Sequence, residues 1–78
     1  MQVKGMIRVH AKTYRIVKVR SATYTVIRVL DDACIGSFGT LPRLRVEARR
    51  VEDQPLLIEI AVTALRQAAV SWSHLPRY

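Results

Sequence analysis

The chain has 78 residues, half of them hydrophobic, and carries a net charge of +7. This length predicts one domain, and the hydrophobic content is sufficient for a core without disulfides or a structural metal. The single cysteine excludes an internal disulfide framework, and with no signal-peptide pattern the expected compartment is the reducing cytoplasm. The longest uncharged run in the predicted C-terminal helix, residues 60–65, is far shorter than the roughly 20 apolar residues that span a bilayer, so no membrane span is predicted.

The positive charge is concentrated at one end of the chain. Residues 1–30 contain seven lysines or arginines and no acid, and the remainder of the chain is neutral overall. A one-sided basic block of this kind predicts an anionic partner, such as nucleic acid, better than an even distribution of surface charge would.

The first two thirds of the chain have the composition of short strands. Residues 6–30 are rich in Val, Ile, Tyr and Thr and contain no proline, and the similar stretches 14–19 and 24–29 predict a hairpin. A turn at Asp31-Asp32 leads into a third strand at about 34–38, in which Gly36 marks a bulge or a close approach. After a loop at 39–42, apolar and charged residues alternate over 44–49, which predicts a half-buried strand.

The C-terminal part of the chain is predicted to be helical. Asp53 can accept hydrogen bonds from the free amides of the first turn, and Pro55 suits that turn because it has no amide to leave unpaired. The predicted apolar side of the helix consists of Leu57, Ile58, Ala61, Val62, Ala64, Leu65, Ala68, Ala69 and Trp72. The apolar residues on its polar side are Leu56, Ile60 and Val70.

Together these elements predict an α+β fold in a single domain, residues 1–78. Three to four antiparallel strands, within about residues 6–49, form a meander. One amphipathic helix, about residues 54–72, packs on one face of the sheet. Residues 73–78 form a tail, because Pro76 cannot continue the helix.

The register of the hairpin decides which residues share a face, and two registers are open. A three-residue loop places Tyr14, Ile16, Lys18, Tyr24, Val26 and Arg28 on one face of the sheet. A two-residue loop would place Arg15 opposite Arg28, and such a like-charge pair is destabilising. The three-residue loop is therefore preferred.

No group of residues predicts catalysis, a cofactor or a metal. His10, in the first strand, and His74, in the tail, are expected to be surface or capping residues, since neither has a second ligand at a metal spacing. Cys34 is expected to be a small buried apolar residue, and the two adjacent aspartates are expected to form a turn. We therefore predict that the protein is not an enzyme.

The basic strands indicate nucleic acid, either DNA or RNA, as the partner of a small accessory or regulatory protein. In the preferred register, cations that can contact phosphates lie beside tyrosines that can stack on bases. The residues assigned to this binding site are Lys12, Tyr14, Arg15, Lys18, Arg20, Tyr24 and Arg28.

A second hypothesis is a homodimer or a protein-binding adaptor with no role in nucleic-acid binding. The sheet face opposite the helix would be uncovered, and Ile16, Val26 and the two tyrosines would make it an interface. The apolar residues on the polar side of the helix favour the same hypothesis.

No motif matches a known family residue by residue. The layout of three or four strands and a packed helix is broadly similar to small DNA-reading β-sheet domains and to double-stranded-RNA-binding domains. The resemblance is one of architecture and implies no particular site. The RNA-binding domains begin with a helix, which residues 1–12 do not resemble.

Overall fold

A computed structural model describes the backbone of residues 2–67 and the side chains of residues 5–67. Its elements are β1 (Gln2–Val9), β2 (Lys12–Arg20), β3 (Thr23–Arg28), β4 (Ala33–Gly39), β5 (Arg45–Ala48), a single-turn 3-10 helix (Val51–Asp53) and α1 (Gln54–Arg66). The five strands form one antiparallel sheet in the order β1-β2-β3-β4-β5, and α1 packs against β1, β4 and β5. The predicted α+β meander with one C-terminal helix is confirmed, with five strands rather than three or four.

The additional strand comes from the N-terminus. Residues 7–9, in which Ile7 and Val9 flank Arg8, are the end of an eight-residue strand that pairs with β2 along its length. A two-residue turn connects these strands, with His10 and Ala11 at φ 52° and 64°. Two consecutive positive φ angles are typical of the turn that matches the twist of a tight hairpin. His10 therefore lies in the turn, and its predicted place in the strand is wrong.

In the β2–β3 hairpin the predicted residues share a face, but the predicted three-residue loop is absent. Tyr14 lies opposite Arg28, and Ile16 lies opposite Val26, as the preferred register requires. The loop itself has two residues, because Arg20 pairs with Thr23, and the register shifts between Lys18 and Arg20. The residue expected in the loop is instead accommodated by a bulge in the strand.

The centre of β4 is a close-approach point. The register with β3 shifts between Val26 and Ile27, next to Gly36, which has φ 154°. A Cβ atom at position 36 would lie only 2.5 Å from the carbonyl oxygen of Glu47 on β5. Both predicted features are therefore present: the register shift of a bulge lies next to Gly36, and β5 approaches Gly36 closely. The lack of a side chain at position 36 allows β5 to lie against this point.

The start of the helix is held by a glutamine rather than by the predicted aspartate. Asp53 makes no side-chain capping hydrogen bond, because it lies in the preceding 3-10 turn. The Gln54 amide instead pairs with the backbone of β5: Nε2 donates to the Val46 carbonyl at 2.9 Å, and Oε1 accepts from the Ala48 amide at 3.0 Å. The side chain thereby satisfies backbone groups at the free edge of β5 and fixes the helix to the sheet.

The core lies between the helix and the inner face of the sheet. The helix residues buried there are Leu57, Ile60, Ala61 and Ala64, which follow the expected i, i+3, i+4, i+7 spacing. Ile60 is fully buried and Ile58 is 45% exposed, so the predicted positions of these two isoleucines are reversed. Leu56 packs against the core, while Val70 and residues 68–72 of the predicted helix lie outside the described residues, as does the tail. No helix within residues 2–67 is long and apolar enough to cross a membrane.

Candidate nucleic-acid interface

The basic residues of the first hairpins are divided between the two faces of the sheet. Arg15 and Arg20 are in register with the outward-pointing residues Ile27 and Thr23. Lys12 and Lys18 occupy inward register positions at the rim, opposite Val9 and Tyr24 respectively. Arg28 also points inward, opposite the buried Tyr14. The five predicted cations therefore do not form one surface.

The two predicted stacking residues belong to the core. Tyr14 and Tyr24 are each only 2% exposed, and the Tyr24 ring stacks on Phe38 with a centroid distance of 5.3 Å. Desolvation by burial raises the pKa of the Tyr14 phenol above its usual value. The predicted stacking of bases on these rings is wrong for this structure, because the face that carries them is covered by the helix. The second hypothesis assigned an open interface to these two tyrosines together with Ile16 and Val26. Ile16 and Val26 are fully buried, so none of the four residues is available to a protein partner.

Two of the predicted cations are engaged by the β3–β4 turn. Arg15 donates to Asp32 Oδ1 at 2.6 Å on the outer face, and Arg28 donates to both Asp31 carboxylate oxygens at 2.9 Å and 2.8 Å on the inner side. The Asp31 carboxylate also accepts a hydrogen bond from the Ala33 amide at 3.3 Å. The adjacent aspartates form the predicted turn, and they also neutralise one arginine on each side of the sheet.

This turn predicts a specific pH dependence of stability. The hydrogen bonds from Arg28 lower the pKa of Asp31 from 3.8 to about 2. A carboxylate whose pKa is depressed by folding stabilises the fold above its unfolded pKa, and it loses that contribution as the pH falls through the folded pKa. The difference in free energy of unfolding between wild type and Asp31→Asn should therefore be constant above about pH 5 and disappear as the pH falls towards 2.

Urea denaturation of both proteins across this pH range measures the effect. In an Arg28→Gln background, Asp31→Asn should lose most of its pH-dependent effect, because the partner that lowers the pKa is absent. An unchanged pH-dependent difference in that background would contradict the assignment of the shift to Arg28.

Two exposed arginines that form no ion pair within residues 5–67 lie at the other end of the outer face. Four residues face one another across neighbouring strands, in the order Arg20, Thr23, Gly39 and Arg45. We call this set the arginine row. Arg20 and Arg45 are exposed, and within residues 5–67 neither takes part in an ion pair. Since Gly39 has no side chain, the Arg45 guanidinium can lie over it, 3.6 Å from where a Cβ atom would stand.

A groove of about 300 Å³ runs along this row. Its walls include Arg20 and Arg45, together with the hydroxyl-bearing residues Thr23 and Ser37. Glu47, which pairs with Ser37 across β4 and β5, also lines the groove and supplies its single carboxylate. Two arginines and two hydroxyls provide donors that suit phosphate groups, and the carboxylate provides an acceptor beside them.

The rest of the outer face continues this polar character, with an apolar strip through it. We use the name outer face for the outward residues Met6, Arg8, Thr13, Arg15, Val17, Thr23, Thr25, Ile27, Cys34, Ser37, Arg45 and Glu47, together with Arg20 and Gly39. Hydroxyl residues and arginines dominate it, and none of its residues is aromatic. The polar contacts made by these residues therefore come from hydrogen bonds and charge, and ring stacking is not among the contacts that they can make.

A second, smaller depression of about 130 Å³ lies at the opposite end of β4. Arg28, Arg49 and Arg50 line it together with Asp53. Its cations are less available than those of the groove, because Arg28 binds Asp31 and Arg50 binds Glu52. The groove along the arginine row is accordingly the better anion site.

Sequence reasoning missed Arg45, Thr23 and Ser37 as partners of Arg20. The signal was the alternation along β3 and β4, where small polar residues alternate with large apolar ones. Thr23 and Thr25 flank Tyr24, and Ser37 and Gly39 flank Phe38. Such alternation predicts that the aromatic side chains point into the core and that the hydroxyls point outward.

Between residues 5 and 67, the remaining reactive side chains form no further site. His10 forms a hydrogen bond of 3.1 Å between its Nε2 and Glu59 Oε1, which links the β1–β2 turn to the helix, while His74 lies outside the described residues. Cys34 is half-buried on the outer face, opposite Ile27. No group of three or more metal-binding side chains occurs within the part of the chain that the structure describes.

Comparisons of the chain with protein-family models, curated proteins and solved structures gave no match. Any function must therefore be argued from the geometry and charge of this chain.

Proposed function

We propose that the protein binds nucleic acid through the phosphate backbone, using the outer face of its sheet. The observation that supports this most is the pair of exposed arginines, Arg20 and Arg45, at the two ends of one row across β2–β5. Their separation across four strands is suited to following a strand of phosphates rather than to holding one small anion.

The hydroxyls of the outer face support the same function. Side chains of serine, threonine and arginine make many of the phosphate and sugar contacts in nucleic-acid complexes, and such contacts carry no sequence information directly. None of the described residues that form this face is aromatic, which argues for contacts to the backbone rather than to unstacked bases. We therefore propose binding that depends weakly on base sequence.

The net charge gives the interaction its expected long-range component. The excess of positive charge raises the rate of encounter with a polyanion, and each phosphate contact releases counterions. Arg8, at the far end of the outer face, is exposed and extends the basic surface beyond the arginine row.

Titration of the wild-type protein with fluorescently labelled oligonucleotides at several salt concentrations tests the proposal. Contacts from Arg8, Arg20 and Arg45 should give a plot of log K against log salt with a slope of about −2 for a single strand. An absence of binding at low salt would refute the function, and binding with a flat salt dependence would refute the phosphate contacts.

A second candidate, homodimerisation, rests on a different observation. β1 is an eight-residue edge strand, and Met6 on its outer side is 59% exposed. Pairing of two β1 strands would extend the sheet and cover this residue. Light scattering over a range of concentrations distinguishes the candidates, because a monomer at every concentration is compatible only with the first.

A further inference from the structure

The groove beside Arg45 contains an acceptor as well as phosphate donors. Glu47 lies two residues after Arg45 on β5 and points to the same side of the sheet, so the two side chains leave the strand about 7 Å apart. Ser37 lies directly across from Glu47 on β4. Among residues 5–67, Glu47 forms no ion pair, so its carboxylate is available to a ligand.

A carboxylate next to a phosphate site weakens the binding of a simple anion. Its repulsion is offset only if the ligand presents a hydrogen-bond donor beside its phosphate. In RNA, the 2′-hydroxyl is borne by the carbon next to the one that carries the 3′-phosphate, and DNA lacks this donor. The hydroxyl is also the group by which proteins distinguish the two nucleic acids.

We infer that the groove is a ribose–phosphate subsite, in which Arg45 of the arginine row holds a phosphate and Glu47, with Ser37, binds the adjacent 2′-hydroxyl. This inference rests on the proposed function and makes it more specific, because it names RNA rather than DNA as the partner. DNA in the same position would leave the carboxylate facing a phosphate without a compensating hydrogen bond.

Oligouridine and oligodeoxyuridine of equal length provide the test, because they differ only in the 2′-hydroxyl and form little structure of their own. The wild type should bind the RNA about tenfold more tightly than the DNA, as expected for one hydrogen bond to a charged acceptor. Glu47→Gln should tighten the binding of DNA and reduce the RNA-to-DNA ratio to about 2 or less, since an amide repels phosphate less and accepts a weaker hydrogen bond.

Two further variants keep the result interpretable. Glu59→Gln makes the same charge change on the helix, beside His10 and away from the groove, and should leave the ratio at its wild-type value. Ser37→Ala should lower the ratio without any change in charge. Thermal unfolding of each variant identifies any that fail to fold. If either Glu47→Gln or Ser37→Ala does not fold, the RNA-to-DNA ratio of the other variant tests the subsite.

The outcomes separate the two levels of the proposal. Equal binding of RNA and DNA by the wild type, or a ratio that persists in Glu47→Gln and Ser37→Ala, overturns the ribose–phosphate subsite and leaves phosphate binding in place. Binding of neither oligonucleotide at low salt overturns the proposed function itself.

Discussion

Replacement of Gly36 by alanine is expected to lower the free energy of unfolding by about 3 kcal/mol, at the upper end of overpacking effects. The new Cβ atom would lie 2.5 Å from the Glu47 carbonyl oxygen, 2.9 Å from the Ala48 Cα and 3.1 Å from the Leu57 Cγ. Two of these neighbours are backbone atoms of β5, and the third belongs to a fully buried residue of the helix. Relief of the contact would require β5 and α1 to move together away from β4.

Gly39→Ala is the matched control, because it adds the same methyl group to the same strand. At position 39, the nearest atoms would be the Ala22 carbonyl oxygen at 3.5 Å and an Arg45 guanidinium nitrogen at 3.6 Å, both ordinary contacts. Urea denaturation should show a change within about 1 kcal/mol for this variant. Equal destabilisation of the two variants would contradict the close approach of β5 to Gly36.

Removal of both arginines of the arginine row is expected to give the largest effect on binding. Each guanidinium that leaves a phosphate is expected to cost about tenfold in affinity, so Arg20→Ala/Arg45→Ala should bind a single-stranded oligonucleotide about 100-fold more weakly than wild type. The slope of log K against log salt should become shallower by about 1.4, because two phosphate contacts are lost. Both side chains are exposed, so the fold should not depend on them.

Much of the fold could be predicted from residue patterns, because those patterns reflect burial. The alternation of Leu44, Val46 and Ala48 with charged residues correctly predicted a half-buried strand, and all three pack against the core. The aspartate turn is also as predicted. The faces of the β2–β3 hairpin were correct because a like-charge Arg15–Arg28 pair would be unfavourable, although a bulge rather than a longer loop produces them.

The binding surface could not be predicted from charge along the chain. Both faces of the hairpin carry β-branched residues and cations, so the positions of its charges do not indicate which face receives the helix. The later strands add Phe38 and Val46 to the face that carries Tyr24, and the helix packs on this more apolar face. The helix then covers the tyrosines, and Arg45, from the part of the chain that is neutral overall, completes the row that Arg20 begins.

The direct test of the central claim compares two double variants that lose the same charge. Arg20→Ala/Arg45→Ala alters the outer face, whereas Lys12→Ala/Lys18→Ala alters the inner rim. In fluorescence anisotropy titrations with one labelled oligonucleotide at one salt concentration, the outer-face variant should lose about 100-fold in affinity. The inner-rim variant should lose about threefold, from the change in net charge alone. Equal losses, or a larger loss for the inner-rim variant, would contradict binding through the outer face.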